Sequence, residues 1–308
     1  ECARVENWMD AIQKLSVTEH SQACFGCKPI LLKFASFLAM FSLTDWIQIG
    51  CLLLILAYGL LLLFARFFAE SHIFPYIKKM RFELAGSFKL RMPNGRQLAL
   101  LHLKSAVPQP KILLYHHGNN QDLEDLLPTL ADLQANGYSV LAYDYPGYGT
   151  STGEASEQSV LAAAETVFKY LVEQLEYRPQ QIILYGFSLG SGPACYLAQR
   201  YPVAGLIIEG GFTSTFRVVT RFKIVPWDVF DNRSILPQVR CPCLLIHGKK
   251  DEIVPFWHAR RNYQQIQAPK QNLWVANAHH NDLVEVAGPQ YWKSLKSFIA
   301  GLPKNSNP

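Results

Sequence analysis

Three residues, far apart in the chain, have the types and the order that activate a serine for attack on a carbonyl carbon. Ser188 is the centre of residues 186–190, which read Gly-Phe-Ser-Leu-Gly and match the pattern G-x-S-x-G. A serine hydroxyl is a weak nucleophile until a base removes its proton, and that base needs a partner that orients it. Asp251 and His280 follow Ser188 in the chain. We predict that His280 is the base and that Asp251 orients it.

The residues around the serine predict a strand, a tight turn and a helix. Residues 182–185 are a short apolar run, and a helix-like stretch extends from 191 to about 200. Gly186 and Gly190 suit a turn that is too sharp for side chains at these two positions. Such a turn presents the serine oxygen above the edge of a sheet. The backbone N–H of Leu189 then faces the same space, and we predict that it is an oxyanion donor.

The sequence offers one further oxyanion donor and two rivals for the other roles. Asn119 follows the apolar run 111–115, and its backbone N–H is the predicted second donor. His279 adjoins His280 and is the alternative base, and Glu209 closes a predicted strand and is the alternative acid. Three more polar residues end predicted strands, and we expect structural roles for them: His117, Asp144 and His247.

Strands and helices alternate along most of the chain. The predicted strands are 82–90, 96–103, 111–115, 138–143, 182–185, 204–208, one within 239–246, and 273–276. The predicted helices are 122–135, 156–175, 191–200, 256–267 and 287–300. This alternation predicts an α/β fold with a mostly parallel, doubly wound sheet, which begins with an antiparallel hairpin at Asn94-Gly95. Sites in such sheets form beyond the carboxyl ends of the strands, where the residues singled out above follow their strands.

The segment 211–240 has no clear periodicity and leaves room for a small lid. It contains five large aromatic residues that either line an acyl pocket or pack the lid onto the core: Phe212, Phe216, Phe222, Trp227 and Phe230. It also contains three cationic residues, which form either a solvated face or a surface for lipid phosphates: Arg217, Arg221 and Lys223.

Residues 46–65 contain no charged side chain. Twenty helical residues rise ~30 Å, the thickness of the hydrocarbon core of a bilayer, so the run predicts a transmembrane helix. A buried core helix and a cleaved signal peptide are the alternatives. More cations follow the run than precede it, which predicts a single-pass protein whose large C-terminal part is cytoplasmic. Within about 20 residues of the run, the cations that follow are Arg66, Lys78, Lys79 and Arg81, and those that precede are Lys28 and Lys33.

These patterns divide the chain into five segments. Residues 1–45 are a polar N-terminal segment, in which 30–43 is either an interfacial helix or half of a membrane hairpin. The transmembrane helix 46–65 leads into a basic linker at 66–81, the predicted catalytic domain at 82–302 and a tail at 303–308. Met9 is a candidate start residue. Cys24 and Cys27 form a C-x-x-C pair without the strand and helix that accompany a redox site.

Composition excludes several classes of function. The 308 residues carry a net charge of +5, which suits an anionic membrane surface better than nucleic acid. The seven cysteines are an odd number without the spacing of a disulfide framework. Zinc-type cysteine pairs and a glycine-rich phosphate loop are missing from the sequence. We therefore expect no metal, no cofactor and no nucleic-acid partner, and a small-molecule or lipid acyl substrate instead.

In combination, these motifs resemble the membrane-anchored serine hydrolases of the abhydrolase-domain group. That group includes the bud-emergence-related hydrolases and, more distantly, the acyl-protein depalmitoylases. The resemblance spans roughly 82–300 and implies the α/β-hydrolase fold and cleavage of an acyl ester or thioester of a lipid or lipidated protein. The stretches that carry it are 117–119, 144–149, 153–156, 186–190, 247–255 and 280–282.

Three departures from the group accompany this resemblance. His279 precedes His280 where the group usually has a small residue, and Asn120-Gln121 follows Asn119 where the group often has small residues. The depalmitoylases carry an N-terminal cysteine cluster, whereas this chain has a hydrophobic span.

Two other functions remain compatible with the sequence. A peptidase or amidase would use the same three residues, and an inactive membrane-tethered scaffold would keep the fold for binding alone. The complete set of Ser188, Asp251 and His280 argues against the scaffold, because a binding module gains nothing from a strained serine. The sequence identifies neither the substrate nor the oligomeric state.

Overall fold

A computed structural model describes residues 41–74, 82–106 and 111–303. The predictions on Met9, on Cys24 and Cys27, on most of the run 30–43 and on the tail beyond 303 lie outside these ranges. The chain divides into two compact units, Glu1–Leu63 and Phe64–Pro308.

The apolar run forms helix α1, Leu43–Phe67, which is longer than the predicted 46–65. It begins earlier because Ser42 and Asp45 form a capping box. The Ser42 N–H donates to Asp45 Oδ2 at 2.8 Å, and the Asp45 N–H donates to Ser42 Oγ at 3.2 Å. The helix has 25 residues and a mean hydropathy of 2.5, and none of that apolar window is buried. By length and composition α1 is a candidate membrane span.

The described residues of the second unit form one eight-stranded sheet with the order β1-β2-β4-β3-β5-β6-β7-β8. The β1–β2 and β2–β4 pairs are antiparallel and every other pair is parallel, which confirms the predicted fold class. The strands are β1 (Ser87–Arg91), β2 (Gln97–Leu103), β3 (Ile112–His116), β4 (Ser139–Tyr143), β5 (Ile182–Phe187), β6 (Gly205–Glu209), β7 (Cys243–Gly248) and β8 (Lys270–Val275).

Helices cover both faces of this sheet. The helices that follow α1 in the described ranges are α2 (Ala69–Ile73), α3 (Leu123–Ala135), α4 (Glu157–Glu173), α5 (Ser191–Arg200), α6 (Thr215–Val219), α7 (Asn232–Ile235), α8 (Trp257–Gln265), α9 (Leu283–Ala287) and α10 (Pro289–Ala300). Buried side chains of α4 and α5 pack in one core cluster, and those of α3 and α10 pack in the other. Strand β5 feeds both clusters, since Leu184 belongs to the first and Tyr185 to the second. This alternation is the period-two pattern of a strand that is buried on both faces.

Three strands differ in their bounds from the ranges predicted by their apolar patterns. Strand β1 begins at Ser87 rather than at 82, because the Ser87 N–H and Oγ both donate to the Leu84 carbonyl in a turn. Strand β7, Cys243–Gly248, begins inside the stretch 239–246 that was predicted to contain a strand, and it extends two residues beyond that stretch. Strand β8 starts at Lys270, earlier than the predicted 273, since Lys270 pairs with Cys243.

The segment between β6 and β7 is a small lid that packs onto the core. Phe212 and Phe230 are buried in the same cluster as α4 and α5, and Phe216 packs against that cluster. Phe222 is 78% exposed. Three of the aromatic residues of the lid therefore join it to the core.

Candidate active site

The turn after β5 holds Ser188 in a strained backbone conformation. Ser188 has a φ of +50°, which is uncommon for a residue with a side chain. A Cβ at Gly186 would lie 2.5 Å from the Gly190 carbonyl oxygen, and a Cβ at Gly190 would overlap the His116 carbonyl oxygen. Ser191 Oγ donates to the Ser188 carbonyl at 2.7 Å, which fixes the turn at the start of α5. Only glycine allows the backbone to approach so closely at both positions.

The structure brings Ser188, Asp251 and His280 together at the carboxyl ends of β5, β7 and β8. His280 Nδ1 lies 2.7 Å from Asp251 Oδ2, and His280 Nε2 lies 2.9 Å from Ser188 Oγ. The carboxylate is an acceptor, so Nδ1 carries the proton of the neutral imidazole and Nε2 is free to accept the serine hydroxyl. This arrangement is a continuous hydrogen-bonded chain from a carboxylate to a nucleophile.

The carboxylate of Asp251 accepts hydrogen bonds on both oxygens. Its Oδ1 accepts the Ile253 N–H at 3.0 Å and the Val254 N–H at 2.7 Å. His247 Nε2 lies 3.2 Å from Oδ2 and also 2.8 Å from the Val254 carbonyl, so this nitrogen carries a proton and donates. Burial opposes the charge, but the hydrogen bonds from His247 and His280 outweigh it and hold the pKa of Asp251 well below its usual value. Asp251 is therefore ionised at neutral pH.

The loops that carry the acid and the histidine are joined by their backbones. The Lys250 N–H donates to the Ala278 carbonyl at 3.0 Å, and the Lys249 N–H donates to the Val275 carbonyl at 2.9 Å. A Cβ at Gly248 would overlap the Ala278 carbonyl oxygen, so this close approach requires glycine. The two loops thus hold Asp251 and His280 in one fixed arrangement.

The alternative base and the alternative acid have other partners. His279 is about half exposed, and its Nδ1 lies 2.7 Å from Glu252 Oε2, which raises the pKa of His279. Glu209 is buried, and both Tyr185 and Tyr291 donate their hydroxyls to its carboxyl group. Burial raises the pKa of Glu209 despite these donors. In this geometry His280, and not His279, reaches the serine.

Side-chain hydrogen bonds that were not predicted from the sequence hold the loop after β3. Asn119 Nδ2 donates to the Ile73 carbonyl at 2.7 Å, at the end of α2. Asn119 Oδ1 accepts the Tyr148 hydroxyl at 2.9 Å and the Asn120 N–H at 3.0 Å. Gln121 Oε1 accepts the Gly118 N–H at 3.0 Å. The segment that follows α1 therefore helps to fix the loop from which the second oxyanion donor is predicted.

Replacing Asn119 with alanine is expected to lower kcat about five- to thirtyfold, because its side-chain hydrogen bonds to Ile73 and Tyr148 are lost while its own N–H is kept. Tyr148→Phe removes one of these bonds and should have a smaller effect. The measurements are kcat and KM of ester hydrolysis, with thermal unfolding alongside. A loss of thermal stability at unchanged kcat would assign Asn119 a structural role and contradict a positioning role.

Two residues beside His280 were not singled out in the sequence. The centroids of the Phe187 and His280 rings are 5.3 Å apart. Gly210, with a φ of +58°, lies beside the same imidazole. A Cβ at Gly210 would lie 3.0 Å from His280 Cε1. In the sequence, these contacts are marked only by Phe187 at the unspecified position before the serine of the G-x-S-x-G pattern and by Gly210, a glycine just after a predicted strand.

Three other histidines are buried and neutral. Burial lowers the pKa of His116 to about 3, that of His117 to about 4 and that of His258 to about 4. His117 stacks on Tyr145 at 3.8 Å between ring centroids, and His116 Nδ1 lies 2.8 Å from the Tyr143 hydroxyl. Within the described ranges, no group of three or more His, Cys, Asp or Glu residues is placed to hold a metal ion.

These histidines make the domain sensitive to acid. A histidine with a depressed pKa contributes stability that is complete above about pH 6.5 and is lost as the pH falls toward the folded-state value. Between pH 8 and pH 5 we expect a loss of about 2 kcal/mol in the free energy of unfolding for each. Thermal unfolding of the full chain in detergent at both pH values measures this loss. Between pH 8 and pH 5, the free energy of unfolding should fall less in His258→Asn than in the wild type. In the exposed control His72→Asn it should fall by as much as in the wild type. If the free energy of unfolding of His258→Asn fell as much between pH 8 and pH 5 as that of the wild type, buried His258 would not be a source of the acid sensitivity.

Comparisons with known proteins identify the family of this chain. Residues 111–223 match the model of the α/β hydrolase fold. α/β-Hydrolase domain-containing protein 17B of Xenopus laevis is 34% identical over 216 residues, which cover 69% of this chain and 74% of that protein. The chain belongs to the α/β-hydrolase fold family. The predicted resemblance to the abhydrolase-domain group is thereby confirmed.

Two further comparisons bear on this α/β-hydrolase. The human protein 17B is 33% identical over 216 residues and has the same coverage of both chains. Among solved structures, the esterase Pf2001 of Pyrococcus furiosus has a TM-score of 0.60 at 18% identity, with 70% of this chain and 91% of that chain covered. At such an identity the structural likeness concerns the fold alone.

Proposed function

We propose that this α/β-hydrolase is a membrane-anchored serine hydrolase that cleaves an acyl ester or thioester through an acyl-enzyme. The observation that carries the proposal is the hydrogen-bonded chain from Asp251 through His280 to Ser188, with distances of 2.7 and 2.9 Å. The strained φ of Ser188 supports it, because strain of this kind is concentrated at functional sites.

In the proposed reaction, Ser188 Oγ attacks the carbonyl carbon while its proton passes to His280 Nε2. The oxyanion accepts hydrogen bonds from the backbone N–H groups of Leu189 and Asn119, and the negative charge of Asp251 stabilises the imidazolium. The imidazolium then gives its proton to the leaving alcohol or thiol as the carbon–oxygen or carbon–sulfur bond breaks. Water then attacks the acyl carbon while one of its protons passes to His280 Nε2. Collapse breaks the bond between that carbon and Ser188 Oγ, the imidazolium returns its proton to Oγ, and the carboxylic acid is released.

The membrane anchor and the cytoplasmic side belong to the same proposal. α1 has the length and the composition of a span. Within about 20 residues of it, three cations follow (Lys78, Lys79 and Arg81) and two precede (Lys28 and Lys33). We infer that the catalytic domain faces the cytoplasm and takes its acyl chain from a lipid or a lipidated protein at that membrane.

Labelling by a fluorophosphonate tests the chemistry, and a series of p-nitrophenyl esters tests the substrate class. The full chain in detergent should carry the label on Ser188, as located by peptide mass spectrometry, and Ser188→Ala should carry none. Hydrolysis of long-chain esters or acyl thioesters is expected. Efficient cleavage of short esters without any cleavage of long ones would refute the acyl-chain assignment, and hydrolysis that persists in Ser188→Ala would refute the mechanism.

A further inference from the structure

A cleft of about 340 Å³ lies between the lid and α8, and none of its lining residues belongs to the candidate active site. No carboxylate lines it, so three guanidinium groups share one cleft without a local opposite charge. We call it the arginine cleft, and its lining residues are Arg221, Phe222, Trp257, Arg260, Arg261 and Gln264.

The charges of the arginine cleft are not neutralised by the described part of the chain. Arg221, Arg260 and Arg261 are exposed, and no described carboxylate forms an ion pair with any of them. Arg217 of the same lid differs, because its Nε lies 3.4 Å from Asp228 Oδ2 and its side chain is only 10% exposed. The basic face predicted from the sequence is therefore divided, and Arg221 faces the arginines of α8 instead of Arg217.

One wall of the cleft is stiffened by an aromatic ring. The Arg261 guanidinium lies 5.9 Å from the centroid of the Trp257 ring, within the range of a cation–π contact. Arg260 and Arg261 lie on the regular helix α8, which fixes their backbones relative to each other. The cleft thus presents cations that are partly arranged before any ligand arrives, which lowers the entropic cost of binding.

Large apolar side chains lie beside these cations and are exposed. Val219 is 88% exposed, Phe222 is 78% exposed and Ile224 is 45% exposed. Arg221 and Lys223 alternate with them along the chain. A segment that combines exposed apolar groups with cations is typical of protein surfaces that lie at the boundary between headgroups and acyl chains.

We propose that Arg221, Arg260 and Arg261 bind the phosphate of an anionic phospholipid headgroup, while the exposed apolar side chains beside them enter the acyl boundary. Guanidinium groups bind phosphate oxygens through paired, charge-assisted hydrogen bonds, and several of them together suit a doubly charged phosphate. A free phosphate would use the cations but would leave the apolar residues in water. The inference rests on the proposed membrane anchor α1, which would hold the protein beside a membrane that contains such a lipid.

A second cleft with three arginines provides a control of equal charge. It has a volume of about 940 Å³, and Arg178, Arg200 and Arg240 are among its lining residues. None of the large apolar residues that are strongly exposed in the described ranges lines it. Its residues Arg178 and Arg240 come just before β5 and β7 in the chain, so this cleft lies at the amino ends of these strands, whereas Ser188 lies at the carboxyl end of β5. The physical argument for a lipid therefore applies to the arginine cleft and not to this one.

Binding to the full chain in detergent tests the proposal by native mass spectrometry. The probes are dioctanoyl phosphatidic acid, dioctanoyl phosphatidylcholine and inorganic phosphate. One variant replaces Arg221, Arg260 and Arg261 with glutamine, and the control replaces Arg178, Arg200 and Arg240 with glutamine. We expect the first variant to bind phosphatidic acid at least about tenfold more weakly than the wild type, since several charge-assisted hydrogen bonds are lost. The control variant should bind it as the wild type does.

Each other outcome contradicts a part of the proposal. An equal loss in both triple variants would mean that net charge, and not the arginine cleft, attracts the lipid. Binding of inorganic phosphate as tight as that of phosphatidic acid, with the same dependence on Arg221, would identify a free-phosphate site and overturn the lipid assignment. Thermal unfolding shows that each variant is folded. The binding measurement does not depend on Ser188, so it is independent of the proposed hydrolase activity.

Discussion

Replacing His280 with alanine is expected to lower kcat for ester hydrolysis by about 10⁴- to 10⁶-fold, because the serine then has no base and its charged transition state has no imidazolium. The change should also abolish labelling by a fluorophosphonate on the time scale of wild-type labelling. His280 is the residue that joins Ser188 Oγ to Asp251 Oδ2, at 2.9 and 2.7 Å. Steady-state hydrolysis of a p-nitrophenyl ester measures kcat, and thermal unfolding shows that the variant is folded.

The neighbouring histidine provides the matched control for this experiment. His279→Ala removes an exposed ion pair with Glu252, and such pairs contribute little, so kcat should change by no more than about threefold. Both variants lose a histidine side chain, and the two positions are adjacent in the chain. If His279→Ala abolished hydrolysis and His280→Ala did not, the assignment of the base would be reversed.

The parts of the site that follow strands could be predicted from the sequence. Ser188, Asp251 and His280 each come after a predicted strand, and the carboxyl ends of parallel strands meet at one edge of a sheet. Their order in the chain is the basis of the predicted roles. Adjacent histidines were harder to separate, because His279 and His280 share the same local pattern and differ only in the direction of their side chains. That direction depends on Glu252 and Asp251, which lie in another loop.

Contacts between distant segments gave no signal in the sequence. The bond from Asn119 to the Ile73 carbonyl joins residues 46 positions apart, and neither periodicity nor a motif marks the pair. Arg221 shares a cleft with Arg260 for the same kind of reason, since the fold of the lid decides which cations lie together. His247 was expected to be structural because it ends a strand, and its donation to Asp251 became visible only in three dimensions. Such pairings are fixed by tertiary packing, which local patterns do not encode.

Replacing Gly190 with alanine is expected to remove most of the nucleophilic activity of Ser188, by at least about 100-fold, a loss of the size that follows when one oxyanion donor is misplaced. A Cβ at this position would overlap the His116 carbonyl oxygen and would lie 2.8 Å from the His117 carbonyl oxygen. These are backbone atoms of β3 and of the loop that follows it, so no side-chain rotation relieves the overlap. Either the turn that holds Ser188 or the loop that carries Asn119 must shift. The rate of fluorophosphonate labelling measures the loss.

Gly59, one of the two glycines of the candidate membrane span, provides a control that separates this steric effect from a general effect of alanine. Nothing lies within 4 Å of a Cβ at Gly59, so Gly59→Ala should label at the wild-type rate. Gly186→Ala should resemble Gly190→Ala, because its Cβ would lie 2.5 Å from the Gly190 carbonyl oxygen across the same turn. Wild-type labelling in both turn variants would mean that the close approach between the turn and the end of β3 is not required for a reactive serine. Loss in both, at a thermal stability sufficient for folding, would locate the reactivity of Ser188 in the backbone geometry that these two glycines permit.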